Sequence, residues 1–134
     1  MRALLDTSVV IRYLTGDVPH LAEWCAQVID SEDDLTVTEG VMIETAYVLT
    51  KNYSVPREVA VDVLIEFLGK SNINVTPLTK PLVIEALLMC RPSGRVSFGD
   101  ALLWARSRSD GLAVCTLDER FVDRGITTLR PQRR

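Results

Sequence analysis

The chain has 134 residues, 47% of them hydrophobic. That is enough for one domain over 1–134 with its own core, and it excludes a chain too polar to fold. The net charge of −3 excludes a broadly basic nucleic-acid surface, yet the charge is uneven: 6 Lys/Arg against 13 Asp/Glu in residues 1–90, and 9 arginines against 5 acids in residues 91–134. Arginine suits phosphate because its planar fork donates two hydrogen bonds at once, so some of these arginines are candidates for phosphate contacts.

The opening RALLD reads as a short buried strand over 2–5 closed by Asp6, and TSVVIRYLTG as a helix ending near Gly16. No small-residue cleavage site follows this apolar start, and no run approaches the roughly 18 apolar residues of a membrane span, so a cytoplasmic protein is expected. Asp17 and Pro19 start a second helix, with Leu21, Trp24, Cys25, Val28 and Ile29 at helical spacing. His20, at its start, is the one histidine and reads as a surface residue. A Ser-His-Asp or Cys-His mechanism therefore lacks a base, and catalysis would rest on carboxylates.

LTVT at 35–38 reads as a strand. A helix over 39–52 follows, whose apolar residues wrap most of its circumference and predict that it is largely buried. Ser54 and Pro56 start the next helix, with Val59, Val63, Leu64, Phe67 and Leu68 inward and Gly69 near its end. NINVTPL at 72–78 is a strand, 80–90 a helix and RPSGR at 91–95 a loop. The chain continues with a helix over 97–110 ended by Gly111, a strand over 112–118, a short helix ERFVDR, a last strand over 126–129 and a loose tail PQRR. Cys25, Cys90 and Cys115 are odd in number and lack a CxxC spacing, so they read as ordinary buried thiols. Strands alternating with helices predict an α/β fold, a central parallel sheet flanked by helices on both faces.

Four acids stand out. Asp6 and Asp118 each close an apolar strand, where ligands of parallel sheets bind, and each could equally cap the element that follows. Glu44 lies inside the most apolar helix; it is either buried against a cation or exposed with Lys51 on a narrow edge. Asp100, in Ser97-Phe98-Gly99-Asp100, suits a variant capping box, and the same helix N-terminus would aim it at the carboxyl edge of the sheet. Four acids held together repel one another unless a cation lies between them. Oxygen-only ligands select a hard ion such as Mg²⁺, which supports phosphodiester hydrolysis without histidine.

Leu5-Asp6-Thr7-Ser8-Val9-Val10-Ile11-Arg12-Tyr13-Leu14 resembles the first motif of PIN domains, especially ribonuclease toxins of the VapC kind. Val41-Met42-Ile43-Glu44 is similar to the stretch carrying the family's helical glutamate, Phe98-Gly99-Asp100-Ala101-Leu102 to its third acidic motif, and Thr116-Leu117-Asp118-Glu119-Arg120-Phe121 to the last. Gly99 stands where the family commonly has Ala. The resemblance spans nearly the whole chain, with four motifs in order. It implies a PIN-like fold and a Mg²⁺- or Mn²⁺-dependent endoribonuclease. Asp6, Glu44, Asp100 and Asp118 would be its metal ligands and catalytic acids, with Ser8 and Thr116 supporting them. It also implies a homodimer, an RNA substrate and a small VapB-like antitoxin whose tail covers the acidic site.

Three other readings compete, one of them a PIN domain that only binds RNA, against which the full acid set argues. A PIN-like nuclease acting on DNA, flap structures or a housekeeping RNA would use the same acids. A Mg²⁺-binding receiver-like signalling domain also places an Asp after a strand, but this chain has no adjacent acid pair after its first strand and no Lys after its last.

Overall fold

The computed structural model describes residues 1–92 and 94–132, with residues 122–124 described in backbone only. Ser93 of the RPSGR loop and Arg133 and Arg134 of the tail lie outside the described residues.

Strand β1 (Arg2–Leu5) leads into α1 (Thr7–Thr15) and α2 (Pro19–Ile29), then β2 (Asp34–Thr38) into α3 (Glu39–Lys51) and α4 (Arg57–Leu68). β3 (Ile73–Thr76) leads into α5 (Lys80–Cys90) and α6 (Phe98–Asp110), then β4 (Ala113–Cys115), a 3-10 turn (Glu119–Arg124) and β5 (Thr128–Leu129). All pairings are parallel, in the order β3-β2-β1-β4-β5. The expected α/β fold is thus present. The order reverses between β1 and β4: the chain builds outward from β1 through β2 and β3, then crosses back to β4. Right-handed crossovers put α1–α4 and α5–α6 on opposite faces, and the reversal leaves a crevice at the carboxyl ends of β1 and β4.

The central strands are apolar because both faces are covered. Leu4, Leu5, Leu35, Val37 and Val114 are fully buried, joined by Val9 and Val10 of α1 and Trp104 of α6. The Trp104 ring meets Phe121 edge to face at 5.2 Å, which fastens the 3-10 turn after β4 onto α6.

Several expectations change. The last three strands are shorter than their apolar runs, because pairing ends where the neighbouring strand ends. α3 is not largely buried: Val41, Thr45 and Leu49 face inward, whereas Ile43 is 72% and Tyr47 62% exposed. In α4, Ala60, Leu64 and Phe67 carry the packing, while Val59 and Leu68 are exposed. Apolar content alone does not fix which arc of a helix meets the core. The residue at the N-cap of α2 is Val18, not Asp17, whose carboxylate instead accepts from Arg12, Thr15 and Tyr53. Ser54 does not cap α4 but takes a left-handed φ of 53° in the preceding turn, and Pro56 holds the N-cap. Cys25 and Cys115 are buried free thiols; Cys90 is only half-buried. His20 is exposed.

Candidate active site

Asp6 is the residue at the N-cap of α1, yet its side chain makes no capping hydrogen bond. The carboxylate turns into the crevice between β1 and β4, where it is 4% exposed. Its Oδ2 accepts from the Ser8 hydroxyl at 2.7 Å and from the Thr116 hydroxyl at 2.7 Å. The network then closes on itself. Thr116 Oγ1 accepts from the Asp118 N–H at 2.9 Å, and Ser8 Oγ accepts from the Leu117 N–H at 3.1 Å. Both hydroxyls therefore have their donor and acceptor roles fixed, and the strand-end segments after β1 and β4 are stitched together.

Each acid responds to this setting. Burial raises the pKa of Asp6; Ser8, Thr116 and the Thr7 N–H oppose that, and the Asp118 charge adds to it. Burial likewise raises Glu44, helped by the Asp6 charge and opposed by the Thr7 hydroxyl. Asp100 is pushed up to about 6, by burial first and then by the charge of Asp6, with Asp118 contributing. Asp118 moves the other way, held low chiefly by Arg120. These couplings bring the four carboxylates into one electrostatic neighbourhood, fed by β1, α3, α6 and the end of β4.

Local sequence explains the delivery. Thr38 caps α3 by accepting from the Val41 N–H at 3.0 Å, and Ser97 caps α6 by accepting from the Asp100 N–H at 3.1 Å. Each cap fixes the first turn of its helix; Asp100 projects from the capped first turn of α6, and Glu44 from the second turn of α3. Glu44 is half-exposed, between the two alternatives open to it, while Lys51 is exposed. The two helices meet at Gly99, where a Cβ would lie 2.6 Å from Glu44 Oε2. The absent side chain is what lets the Glu44 carboxylate lie against the start of α6. Asp118 also caps locally, its Oδ1 accepting from the Arg120 N–H at 2.9 Å.

Two features were not singled out from sequence. Arg120 forks onto Asp118, with Nε 3.1 and 3.0 Å from its two oxygens and Nη2 2.6 Å from Oδ2; Nη2 also lies 3.5 Å from Asp100 Oδ2. Its position two residues after a strand-end acid was the available signal. The Thr7 hydroxyl is buried beside Glu44 with no hydrogen bond of ordinary geometry. As the side chains stand, no three of the described His, Cys, Asp and Glu residues close into a coordinating group. Other arginines of the basic C-terminal stretch are paired elsewhere: Arg106 with Asp110, Arg108 with Glu85 and Arg130 with Glu119. A groove of about 1060 Å³ is lined by Trp24 and Gln27 of α2, by Leu117 and Glu119 on either side of Asp118 in the chain, and by Arg130; none of the four acids lines it.

Comparison with known proteins gives one consistent result. The family model described as PIN domain matches residues 3–126. The fold is similar to that of VapC20 of Mycobacterium tuberculosis, a toxin that cleaves the sarcin-ricin loop, with a TM-score of 0.78 and 24% identity over 96% of this chain and 99% of that one. It is also similar to a chain of DNA-bound VapBC from Salmonella typhimurium (TM-score 0.72, 20% identity, 97% and 98% covered). A chain of VapBC2 from Rickettsia felis, bound to a promoter DNA fragment, matches at TM-score 0.72 and 14% identity over 97% and 98%. No curated protein matches by sequence.

Proposed function

The chain belongs to the PIN-domain family, and on that premise we propose that it is a metal-dependent endoribonuclease acting as the toxin of a toxin–antitoxin pair. The observation that carries this reading is the set of four carboxylates around the β1/β4 crevice. Asp6 is buried there with hydrogen bonds from neutral donors, and Asp6 and Asp100 are each raised by burial first, with a neighbouring acid adding to it. An unpaired buried charge is costly, and such a set is relieved by a cation. The donor set is entirely oxygen, which suits Mg²⁺ or Mn²⁺. The buried Thr7 hydroxyl adds one more oxygen beside Glu44. Family membership sets aside the receiver-like alternative.

Asp6, Glu44, Asp100 and Asp118 would hold the ion. When bound, it polarises a phosphoryl oxygen and supplies a water nucleophile near neutral pH. The remaining work belongs to the chain. Ser8 and Thr116 orient Asp6 through the two hydroxyl bonds to Oδ2. The capped first turn of α6 fixes Asp100 at the mouth of the crevice. Asp118, ionised beside Arg120, keeps negative charge there when Asp100 carries a proton. The similar folds of toxins and toxin–antitoxin complexes support a VapB-like antitoxin as partner, whose basic side chain would be drawn to the same acids. A homodimer and a cytoplasmic location complete the reading; no helix among the described residues is long and apolar enough to cross a membrane.

The test is cleavage of matched RNA and DNA oligonucleotides by purified protein. RNA should be cut with Mg²⁺ or Mn²⁺ and left intact in EDTA, and Asp6→Asn should lower the rate at least about a hundredfold. Undiminished cutting in EDTA overturns the mechanism, and preference for DNA overturns the substrate.

A further inference from the structure

We propose that Arg120 is a resident counter-cation of the acidic site, which a divalent ion must displace from Asp118 and Asp100 in order to bind. The proposal rests on the metal-nuclease reading and deepens it by naming a residue that sets metal affinity.

The geometry is that of a strong pair. A guanidinium placing two nitrogens on the two oxygens of one carboxylate makes parallel, charge-assisted hydrogen bonds, and Arg120 does so on Asp118, Nε to Oδ1 and Nη2 to Oδ2, while its Nη2 reaches toward Asp100. Three further observations turn this pair into a switchable one. Arg120 is 61% exposed, so its head can move into solvent without unpacking the core, whereas the Asp118 carboxylate is 19% exposed and stays with the site. The stem starts two residues after Asp118, and its turn is pinned independently of that carboxylate by Phe121 against Trp104. The acids also do not close into a coordinating group of three among the described residues, and Asp118 is committed to the guanidinium. A cation at the acids and a guanidinium on Asp118 neutralise the same charge, so occupancy by one opposes the other.

A merely structural arginine would leave metal affinity unchanged or weaken it when removed. A competing one does the opposite. Mn²⁺ titration of the full chain by calorimetry should show Arg120→Ala and Arg120→Gln binding about three- to tenfold more tightly than wild type, the range expected for a well-formed but solvent-accessible pair. Arg120→Lys, which keeps the charge without the fork, should fall between. The advantage of Arg120→Ala should shrink as KCl is raised, because salt screens the native pair. Arg108→Ala, which removes the same charge from the Glu85 pair away from the acids, should bind as wild type does. If wild type binds Mn²⁺ and cuts RNA while Arg120→Ala and Arg120→Gln fold normally but bind no more tightly, the proposal fails and the nuclease reading stands. If no form binds Mn²⁺ and no RNA is cut, both fail.

Discussion

Asp6 and Thr116 are 110 positions apart in the chain, and a 2.7 Å hydrogen bond from the Thr116 hydroxyl to Asp6 Oδ2 joins them inside the protein. The same hydroxyl accepts from the Asp118 N–H. One fully buried oxygen thus positions the residue that ends β1 and orders the turn that carries Asp118.

Thr116→Val keeps the shape of the side chain and deletes both bonds. Asp6 loses one of its two hydroxyl donors, and the Asp118 N–H loses its acceptor. Urea denaturation should show a loss of about 1–3 kcal/mol, and Mn²⁺ affinity should fall less than it does in Asp6→Asn. A variant as stable as wild type would mean that the bond contributes nothing net.

The ion-free protein should lose stability between pH 4 and pH 7. Asp100 titrates at about 6 when folded and near 3.8 in an unperturbed chain. Because the folded pKa is the higher one, its favourable contribution is full below 3.8 and is lost as pH rises through about 6. Burial shifts Asp6 and Glu44 in the same direction. Asp118 and Asp17 are shifted down and act in the opposite sense, at pH below about 4. In EDTA the urea midpoint should therefore be higher at pH 5 than at pH 7.5, and Asp100→Asn should narrow the difference. Equal midpoints in the wild type would contradict the assignment.

Gly99→Ala separates stability from site geometry. The backbone there is helical, and Ala gains up to about 1 kcal/mol over Gly in a helix interior, less in a first turn. The new methyl would lie 2.6 Å from Glu44 Oε2, the far end of a flexible side chain that can swing away. The melting temperature should hold or rise while Mn²⁺ affinity falls, and in a Glu44→Gln background the second effect should vanish. A fall in affinity that persists without the Glu44 carboxylate would place the cause elsewhere.

Expression in a bacterial host tests the toxin reading. Wild-type protein should arrest growth, Asp6→Asn should not, and co-expression of a small antitoxin gene found beside this one should restore growth. If wild type and Asp6→Asn are equally harmless while the purified wild type still cuts RNA, a housekeeping nuclease is the better description.

Much of this was legible from local chemistry. Alternating strands and helices gave the parallel α/β fold, because a strand buried on both faces must be apolar and its crossover must be helical. The cap at Ser97 and the glycine stops at Gly16 and Gly111 mark helix ends through backbone groups a few residues away. The exposed Ile43 and Tyr47 ran against the sequence, since a helix with apolar residues all round does not say which arc will find a partner.

The sequence by itself determined the elements, their order and the places of Asp6, Asp100 and Asp118 at strand ends and a helix start, because these are set by near neighbours; Glu44, inside α3, it left open between a buried and an exposed position. Only the tertiary structure decided which of those acids cap their own element and which turn into the crevice. Asp6 gives its carboxylate to Ser8 and Thr116 and makes no side-chain cap, whereas Asp118 keeps a local cap and takes Arg120 as well. It also decided that Gly99 leaves room for the Glu44 carboxylate and that Arg120 lies on Asp118 and reaches toward Asp100. The physical reason is that hydrogen bonds and charge pairing act over a few ångströms of space, and neither Asp6 and Thr116 nor Glu44 and Gly99 are near one another along the chain. The reversal of strand order between β1 and β4 brings the first of those pairs together, and the approach of α3 to α6 brings the second.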